Sequence, residues 1–388
     1  PMTSSKTRLC VVTPVHWNAF MGGSQYQIKC LLDELLALNR YEITYLANRT
    51  TPDFVDDRYS VVPIGRKVPR FGYLMHAIPL YRALRHARPD VIYQRVACGY
   101  TAVAAHYARR HGARFIWHVA HDSDVSPDSS IHGRNPLRRF LEKRSVEYGI
   151  RNTDQIVTQT EHQAALLHQN YDRVADAMVP NFHPFPTERN DKSGPLTVLW
   201  VANLKPWKRP EAFVRLAESL LDLEDVRFMM VGALSAGAQE WQWEETLLTR
   251  MEETPNHDYL GRLTQDQVNE LMARAHVFVN TSRREGFANT FIQAWMREVP
   301  VVTLSVNPDG VLDRERVGIC AGSEERLSDA VRTLLTNAPQ RQEYAARACA
   351  YAAKKHSLHN ALLLADMIDR SRIANHNAGI IGVDSHIR

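Results

Sequence analysis

Short apolar runs alternate with helix-like patterns along almost the whole of this 388-residue chain. Residues 8–13 contain four consecutive apolar side chains, the pattern of a buried strand, and residues 28–36 repeat apolar side chains at the spacing of one helix face. Further strand-like runs, most of them followed by helical stretches, lie at residues 42–47, 61–64, 91–94, 114–119 and 155–158. Strands that alternate with helices predict βαβ units around a parallel sheet.

The alternation stops at residues 180–195, where four prolines lie among polar residues, and then begins again. Such a stretch is typical of a linker between domains. The sequence therefore predicts two Rossmann-like α/β domains that face each other across a cleft. The predicted divisions are a first domain at 1–183, a linker at 184–195, a second domain at 196–356, a C-terminal helix at 357–373 that returns to the first domain, and a loose tail at 374–388.

The composition is that of a folded, water-soluble protein, with 44% hydrophobic and 23% charged residues. No apolar run approaches the ~20 residues that a membrane span needs. The first residues lack the apolar centre of a signal peptide, and the five cysteines form no CxxC pair. We therefore expect a cytoplasmic protein without a disulfide framework or a zinc ribbon.

Positive charge is concentrated in the first half of the chain. Residues 1–190 hold 24 Lys and Arg against 17 Asp and Glu, a balance of +7, whereas the remainder has a balance of −3. An anionic partner of the first domain, such as a lipid phosphate, a membrane surface or a sugar phosphate, would explain this asymmetry. A solvated basic surface is the alternative explanation.

Two loops of the first half carry unusual residues where a strand ends. Gly22 and Gly23 lie just before a helix, where backbone amides can approach an anion, although the GxGxxG dinucleotide pattern is missing. His121 and Asp122 follow the strand at 114–119 and could bind hydroxyl groups or transfer protons. Their spacing matches no zinc pattern, so we expect no metal site. A tight turn and a loop cap are the alternative interpretations.

Two loops of the second half have the same position. Lys205, Lys208 and Arg209 lie between a strand and a helix that opens at Pro210, and cations at that place favour a phosphate or pyrophosphate. Glu285 lies at the entrance of another helix, where a carboxylate could bind sugar hydroxyls. The second-half loops therefore predict a site for a phosphorylated sugar ligand.

Taken together, these loops resemble glycosyltransferase family 4, a family of retaining enzymes with the GT-B fold. The resemblance covers nearly the whole chain. Its anchors, in order, are Gly22-Gly23, His121-Asp122, the Lys208 loop, Gly261-Arg262-Leu263, Glu285-Gly286-Phe287 and residues 299–302. It implies a nucleoside diphosphate sugar as donor, bound mainly by the second domain, and an acceptor bound by the first.

The resemblance also assigns roles to residues. Lys208 would hold the donor pyrophosphate, Glu285 would bind sugar hydroxyls, and His121 would line the reaction centre. The other donor-binding positions that it implies are Gly22, Gly23, Arg262, Gly286, Phe287, Ala288, Asn289 and Thr290.

The chain departs from the family pattern at two donor positions. Asn203 stands where the family has Arg, so that Lys205 or Arg209 would have to supply the missing cation. Gln293 stands where the family has a second Glu that contacts the ribose, and its amide can still form a hydrogen bond with a hydroxyl group. The two donor loops of the second half contain no Asp-x-Asp motif, so we expect no obligatory metal, and the nucleotide sugar is a substrate rather than a cofactor.

The predicted reaction is transfer of a sugar from a UDP- or GDP-sugar to an acceptor hydroxyl with retained configuration, in the synthesis of a bacterial cell-surface polysaccharide or glycolipid. Two alternatives remain: a nucleotide-sugar epimerase of GT-B fold, and a catalytically idle nucleotide-sugar-binding protein. We expect no nucleic-acid partner.

The acceptor is a sugar, a glycolipid or a lipid-linked sugar. Two basic segments that also contain apolar residues could hold the first domain on the inner face of the plasma membrane. An ordinary amphipathic helix is the alternative for the second segment. The cations concerned are Arg66, Lys67, Arg70, Arg138, Arg139, Lys143 and Arg144.

Overall fold

The computed structural model describes residues 6–65, 75–126, 136–187, 190–234 and 241–383. The chain divides into two compact units, residues 1–182 with 358–388 and residues 183–357. Each is an α/β unit around one parallel sheet.

Unit 1 contains a seven-stranded parallel sheet in the order β3-β2-β1-β4-β5-β6-β7. Its strands are β1 (Thr7–Val15), β2 (Tyr41–Arg49), β3 (Ser60–Pro63), β4 (Val91–Arg95), β5 (Arg114–His118), β6 (Gln155–Thr158) and β7 (Ala177–Met178). Its helices are α1 (Gly23–Ala37), α2 (Ala77–Ala87), α3 (Gly99–His111), α4 (Pro136–Arg151), α5 (Glu161–Tyr171) and the last helix of the chain, α13 (His359–Val383).

The first strand shows why both faces of this sheet are covered. Leu9 and Val11 belong to the apolar core that also contains residues of α1 and α13. Cys10 and Val12 point to the opposite face and belong to the core that contains residues of α2, α3, α4 and α5. Successive side chains of a strand alternate between faces, so a continuously apolar run needs helices on both sides.

Unit 2 contains a six-stranded parallel sheet in the order β10-β9-β8-β11-β12-β13. Its strands are β8 (Leu196–Val201), β9 (Val226–Val231), β10 (His257–Tyr259), β11 (Val277–Asn280), β12 (Val301–Thr303) and β13 (Gly318–Cys320). Its helices are α6 (Pro210–Ser219), α7 (Trp241–Glu253), α8 (Gln265–Arg274), α9 (Asn289–Trp295), α10 (Val311–Arg314), α11 (Glu324–Thr336) and α12 (Ala338–Lys355).

The strand order of each unit reverses once, at β1 and β4 in unit 1 and at β8 and β11 in unit 2. In open parallel sheets, ligands bind beyond the carboxyl ends of the strands at such a reversal. In unit 2 the loops that follow β8 and β11 carry Lys208 and Glu285. The topology thus places these two loops where a ligand is expected to bind.

The end of the chain differs from the sequence expectation. A C-terminal helix was expected over residues 357–373 and a loose tail over 374–388, whereas α12 ends at Lys355 and α13 runs from His359 to Val383. The break lies where the chain passes from unit 2 to unit 1. α13 thus extends beyond the expected boundary at 373. Extension is favourable because each residue added to a formed helix gains a hydrogen bond without a new nucleation cost.

Candidate functional site

Lys208 and Glu285 meet at the carboxyl edge of the unit 2 sheet. The Lys208 ammonium forms an ion pair with Oε1 of Glu285, although the two residues are 77 positions apart in the chain. The Ser282 hydroxyl donates a hydrogen bond of 2.7 Å to the same carboxylate oxygen. The side chains of Lys208 and Glu285 are only 20% and 15% exposed. The structure thus brings together the two residues that the sequence singled out from different loops.

Hydrogen bonds also fix the backbone of these loops to each other. The Thr281 hydroxyl donates to the carbonyl of Lys208 at 2.7 Å and accepts from the indole N–H of Trp200 at 2.9 Å. The amide of Arg283 donates to the carbonyl of Trp207 at 2.9 Å. Because Trp200 is buried in the sheet, the loops are tied to a rigid element, which is how a site holds its charged groups in place.

The remaining cations near Lys208 differ in their surroundings. Lys205 lies over the ring of Trp207, with its nitrogen 4.7 Å from the ring centre. Arg209 donates to Oε1 of Glu324 at 2.6 Å. Asn203 and Arg262 are exposed. Lys208 is therefore the cation that the structure pairs with Glu285.

The residues after Glu285 lead into α9, a helix of seven residues. Gly286 and Phe287 are buried, and the ring of Phe287 lies 4.7 Å from that of His356. Ala288, Asn289 and Thr290 are partly exposed, whereas Gln293 is 5% exposed. Phe287 thus anchors the loop that carries Glu285, and the ribose contact of the buried Gln293 stays a prediction.

In unit 1, His121 lies exposed just after β5. The amides of Ala120 and His121 donate to one carboxylate oxygen of Asp124, at 2.9 and 3.0 Å. Asp124 is buried, and this burial raises the pKa of its carboxyl group, against the opposing effects of His121 and the backbone amides. Asp124 therefore fixes the backbone at Ala120 and His121.

A buried arginine that the sequence did not single out lies at the end of β4. Arg95 is 1% exposed, its guanidinium donates to Oδ1 of Asn181 at 2.8 Å, and burial lowers its pKa. Its neighbour Val96 has a φ of 69°, which is rare for a β-branched residue. The only sequence signal for Arg95 was a charge at the end of an apolar strand.

The glycine pair lies at the start of α1, where Gly22 is the residue before the helix and Gly23 its first residue. A Cβ atom on Gly22 would lie 2.9 Å from the side-chain oxygen of Gln25 and 3.0 Å from the ring of Phe20. The φ of Gly22 is −112°, which any residue can adopt, and a Cβ atom there would meet only side chains that can move, so neither the backbone angle nor the space requires glycine.

The basic residues of α4 lie beside exposed apolar side chains. Leu137 and Phe140 are 65% and 59% exposed, and the guanidinium of Arg144 lies 6.0 Å from the ring centre of Phe140. Arg139 and Arg144 are exposed, whereas Arg138 forms an ion pair with Glu142. Arg66, Lys67 and Arg70 lie outside the described residues.

Two absences concern only the described part of the chain. Among these residues, no three or more His, Cys, Asp or Glu side chains are grouped so that they could hold a metal ion. Among the same residues, no helix is both long enough and apolar enough to cross a membrane.

Two family sequence models match the chain, one in each unit. "Glycosyl transferase 4-like domain" matches residues 22–181, and "Glycosyl transferases group 1" matches residues 195–337. The chain belongs to the family 4-like glycosyltransferases. This glycosyltransferase has no match among the curated proteins compared with it.

Solved structures of low sequence identity share the GT-B fold of the glycosyltransferase. Sucrose-phosphate synthase from Thermosynechococcus elongatus has a TM-score of 0.74 at 13% identity and covers 94% of this chain and 99% of its own. HepE of Anabaena, solved with UDP and glucose, has a TM-score of 0.72 at 15% identity, with 94% and 99% covered. WaaG, described as a glycosyltransferase of lipopolysaccharide biosynthesis, has a TM-score of 0.72 at 15% identity, with 93% and 99% covered.

Proposed function

We propose that this glycosyltransferase moves a sugar from a UDP- or GDP-sugar to an acceptor hydroxyl with retained anomeric configuration, and that Lys208 and Glu285 form its donor site. The observation that carries the proposal is the pairing of these two residues at the strand reversal of unit 2. The UDP bound in the solved structure of HepE supports UDP as the nucleotide. The lipopolysaccharide pathway of WaaG supports a role in bacterial cell-surface polysaccharide or glycolipid synthesis.

The chemistry needs stabilisation of the leaving group more than it needs a nucleophile. As the bond between the anomeric carbon and the phosphate oxygen breaks, negative charge grows on the pyrophosphate, and the ammonium of Lys208 stabilises it. The acceptor oxygen bonds to the same face of the anomeric carbon, and its proton passes to the departing phosphate oxygen. No covalent sugar intermediate and no metal is part of this proposal.

Glu285 has a different task in the same step. Its carboxylate would accept hydrogen bonds from hydroxyl groups of the donor sugar, while Lys208 turns from the carboxylate to the pyrophosphate. In the ligand-free protein, Lys208 and Glu285 pair with each other, and Ser282 also donates to Glu285. These contacts keep both charges satisfied until a donor binds. The proposal keeps His121 at the reaction centre and assigns it to no proton transfer.

A calorimetric titration with UDP-, GDP- and ADP-sugars tests the donor site. We expect binding of one nucleotide class by the wild-type protein, weaker binding by Lys208→Ala, and unchanged binding by the control Lys354→Ala, whose side chain is exposed on α12. A wild-type protein that binds none of these nucleotide sugars contradicts the proposal. Release of nucleoside diphosphate that requires an acceptor separates transfer from epimerisation and from idle binding.

We further propose that unit 1 lies on an anionic membrane and works on a lipid-linked acceptor. Leu137, Phe140 and Leu141 are exposed along α4, with Arg139 and Arg144 exposed beside them. Apolar side chains next to cations are typical of helices that lie in a membrane interface. The net charge of +7 over residues 1–190 also favours binding to an anionic membrane.

A further inference from the structure

Arg209 adopts a backbone conformation that favours glycine. It joins the short helical turn Pro206–Lys208 to α6, with φ at 51° and ψ at 52°. Residues other than glycine are disfavoured in this left-handed region, because their Cβ atom crowds the backbone. A residue other than glycine in this disfavoured conformation, within a functional loop, suggests that its side chain has a function.

The side chain of Arg209 is held by a carboxylate of another helix. Glu324 is the first residue of α11, and its Oε1 accepts hydrogen bonds from Arg209 at 2.6 Å and from Arg215 at 2.7 Å. Its second oxygen accepts another from Arg215 at 2.7 Å. The two guanidinium groups lower the pKa of Glu324, that of Arg215 more strongly, so its charge is present at neutral pH. The carboxylate therefore joins the beginnings of α6 and α11.

This contact lies next to Lys208 in the chain. The carbonyl of Lys208 is part of the peptide bond to Arg209, and Thr281 fixes that carbonyl from the side of the Glu285 loop. The backbone that presents Lys208 is therefore held twice, by Thr281 directly and by Glu324 through Arg209.

We propose that Glu324 is a positioning residue of the donor site, which acts through Arg209 on the backbone that presents Lys208. The inference rests on the proposed function, and it makes Arg209 a positioning residue rather than a ligand of the donor pyrophosphate. The two assignments predict opposite changes in nucleotide affinity when the charge of Glu324 is removed. If Arg209 bound pyrophosphate, Glu324 would compete for its guanidinium, and removal of the carboxylate charge would tighten nucleotide binding.

The test compares UDP with UMP, because the resemblance places Lys208 on the pyrophosphate and UMP lacks one. GDP and GMP, or ADP and AMP, replace them if the donor panel selects another base. In calorimetry, Glu324→Gln should weaken UDP binding roughly fivefold to tenfold and leave UMP binding nearly unchanged. Arg209→Gly removes the side chain while a glycine adopts the same φ without strain, and it should give the same loss. The double variant should lose no more than either single variant.

Two further variants make the test specific. In a Lys208→Ala background, neither Glu324→Gln nor Arg209→Gly should change UDP binding further. Glu218→Gln is the matched control, because Glu218 accepts two hydrogen bonds of 2.6 Å from Arg250 elsewhere in unit 2, and it should leave UDP binding unchanged. Melting temperatures of all variants report whether each remains folded.

The possible results separate the two proposals. Tighter UDP binding by Glu324→Gln, or a loss with Arg209→Gly that persists without Lys208, overturns the positioning role. Unchanged UDP binding by both variants overturns it as well, while the donor site at Lys208 stands. Absence of nucleotide binding by the wild-type protein contradicts the proposed function itself.

Discussion

Lys208 and Glu285 satisfy each other's charge in the ligand-free protein, and this pairing has a consequence for binding. A donor must separate the two groups, so the pyrophosphate has to replace the carboxylate as the partner of Lys208. Ligands with and without a sugar should therefore respond differently to the loss of Glu285.

Glu285→Ala should weaken binding of the nucleotide sugar about tenfold, because hydrogen bonds to sugar hydroxyls from a charged group are lost. Binding of the free nucleoside diphosphate should not weaken, since Lys208 loses a competing carboxylate. Calorimetry on both ligands checks this, with Glu245→Ala, an exposed position on α7, as the control. An equal loss for both ligands would place Glu285 on the nucleotide or in the fold instead.

At the residue scale, what the sequence could predict depends on where a residue lies along its own segment. Lys208 and Glu285 stand out because each lies in the loop between an apolar strand and a helix. Arg95, Asp124 and Glu324 do not stand out, because their roles come from partners that are distant in the sequence or from burial. Arg209 was expected to be able to supply a cation to the donor, and its contact with Glu324 could be found only once α6 and α11 were placed side by side.

At the element scale, periodicity predicted most strands and helices but missed features that depend on tertiary context. The break between α12 and α13 at residues 356–358 lies at the division predicted at 356–357, but the continuation of α13 beyond residue 373 was missed. His356 is buried there against Phe287 and Trp295, and those contacts favour the break. For α4, in contrast, the sequence offered both a membrane surface and an ordinary amphipathic helix, and a measurement of vesicle binding distinguishes these.

Vesicle sedimentation tests the membrane surface on α4. The protein should sediment with anionic vesicles at 0.1 M salt and be released at 1 M, since the Debye length shrinks from about 10 Å to about 3 Å. Each cation near the bilayer contributes about 1 kcal/mol, so replacing Arg138, Arg139, Lys143 and Arg144 with Gln should release it at low salt.

The matched control replaces four exposed arginines of α2 and α3 with Gln, namely Arg82, Arg85, Arg109 and Arg110. The control has the same net charge as the α4 variant and should remain bound. Protein that stays in the supernatant with anionic vesicles at low salt contradicts the membrane proposal. Binding that persists in the α4 variant removes α4 as the contact and directs the test to residues 66–70.

At the scale of the whole molecule, both units bury histidines that resist protonation. Burial lowers the pKa of His183 to about 3 and that of His257 to about 4, and it holds the pKa of His118 well below its ordinary value. His118 belongs to unit 1 and the other two to unit 2. In the unfolded chain each would titrate near pH 6.5.

Stability should therefore fall as the pH drops below about 6.5. In the range between the folded and unfolded pKa values, the unfolded chain binds protons that the folded chain does not, which costs about 1.4 kcal/mol per pH unit for each histidine. Urea unfolding at pH 7.5, 6 and 5 measures this slope. His257→Gln should reduce it, whereas His168→Gln, at an exposed position on α5, should not. A free energy of unfolding that is constant or rises from pH 7.5 to 5 contradicts the account.

The most direct measurement of the central claim is the release of nucleoside diphosphate from the nucleotide sugar that the binding panel selects, in the presence of acceptor. Because Lys208 stabilises charge that grows in the transition state, Lys208→Ala should lower kcat roughly 100-fold or more. It should weaken donor binding by less than that, and the control Lys354→Ala should retain wild-type turnover. Wild-type turnover by Lys208→Ala would contradict the claim that the Lys208 and Glu285 loops form the site of sugar transfer.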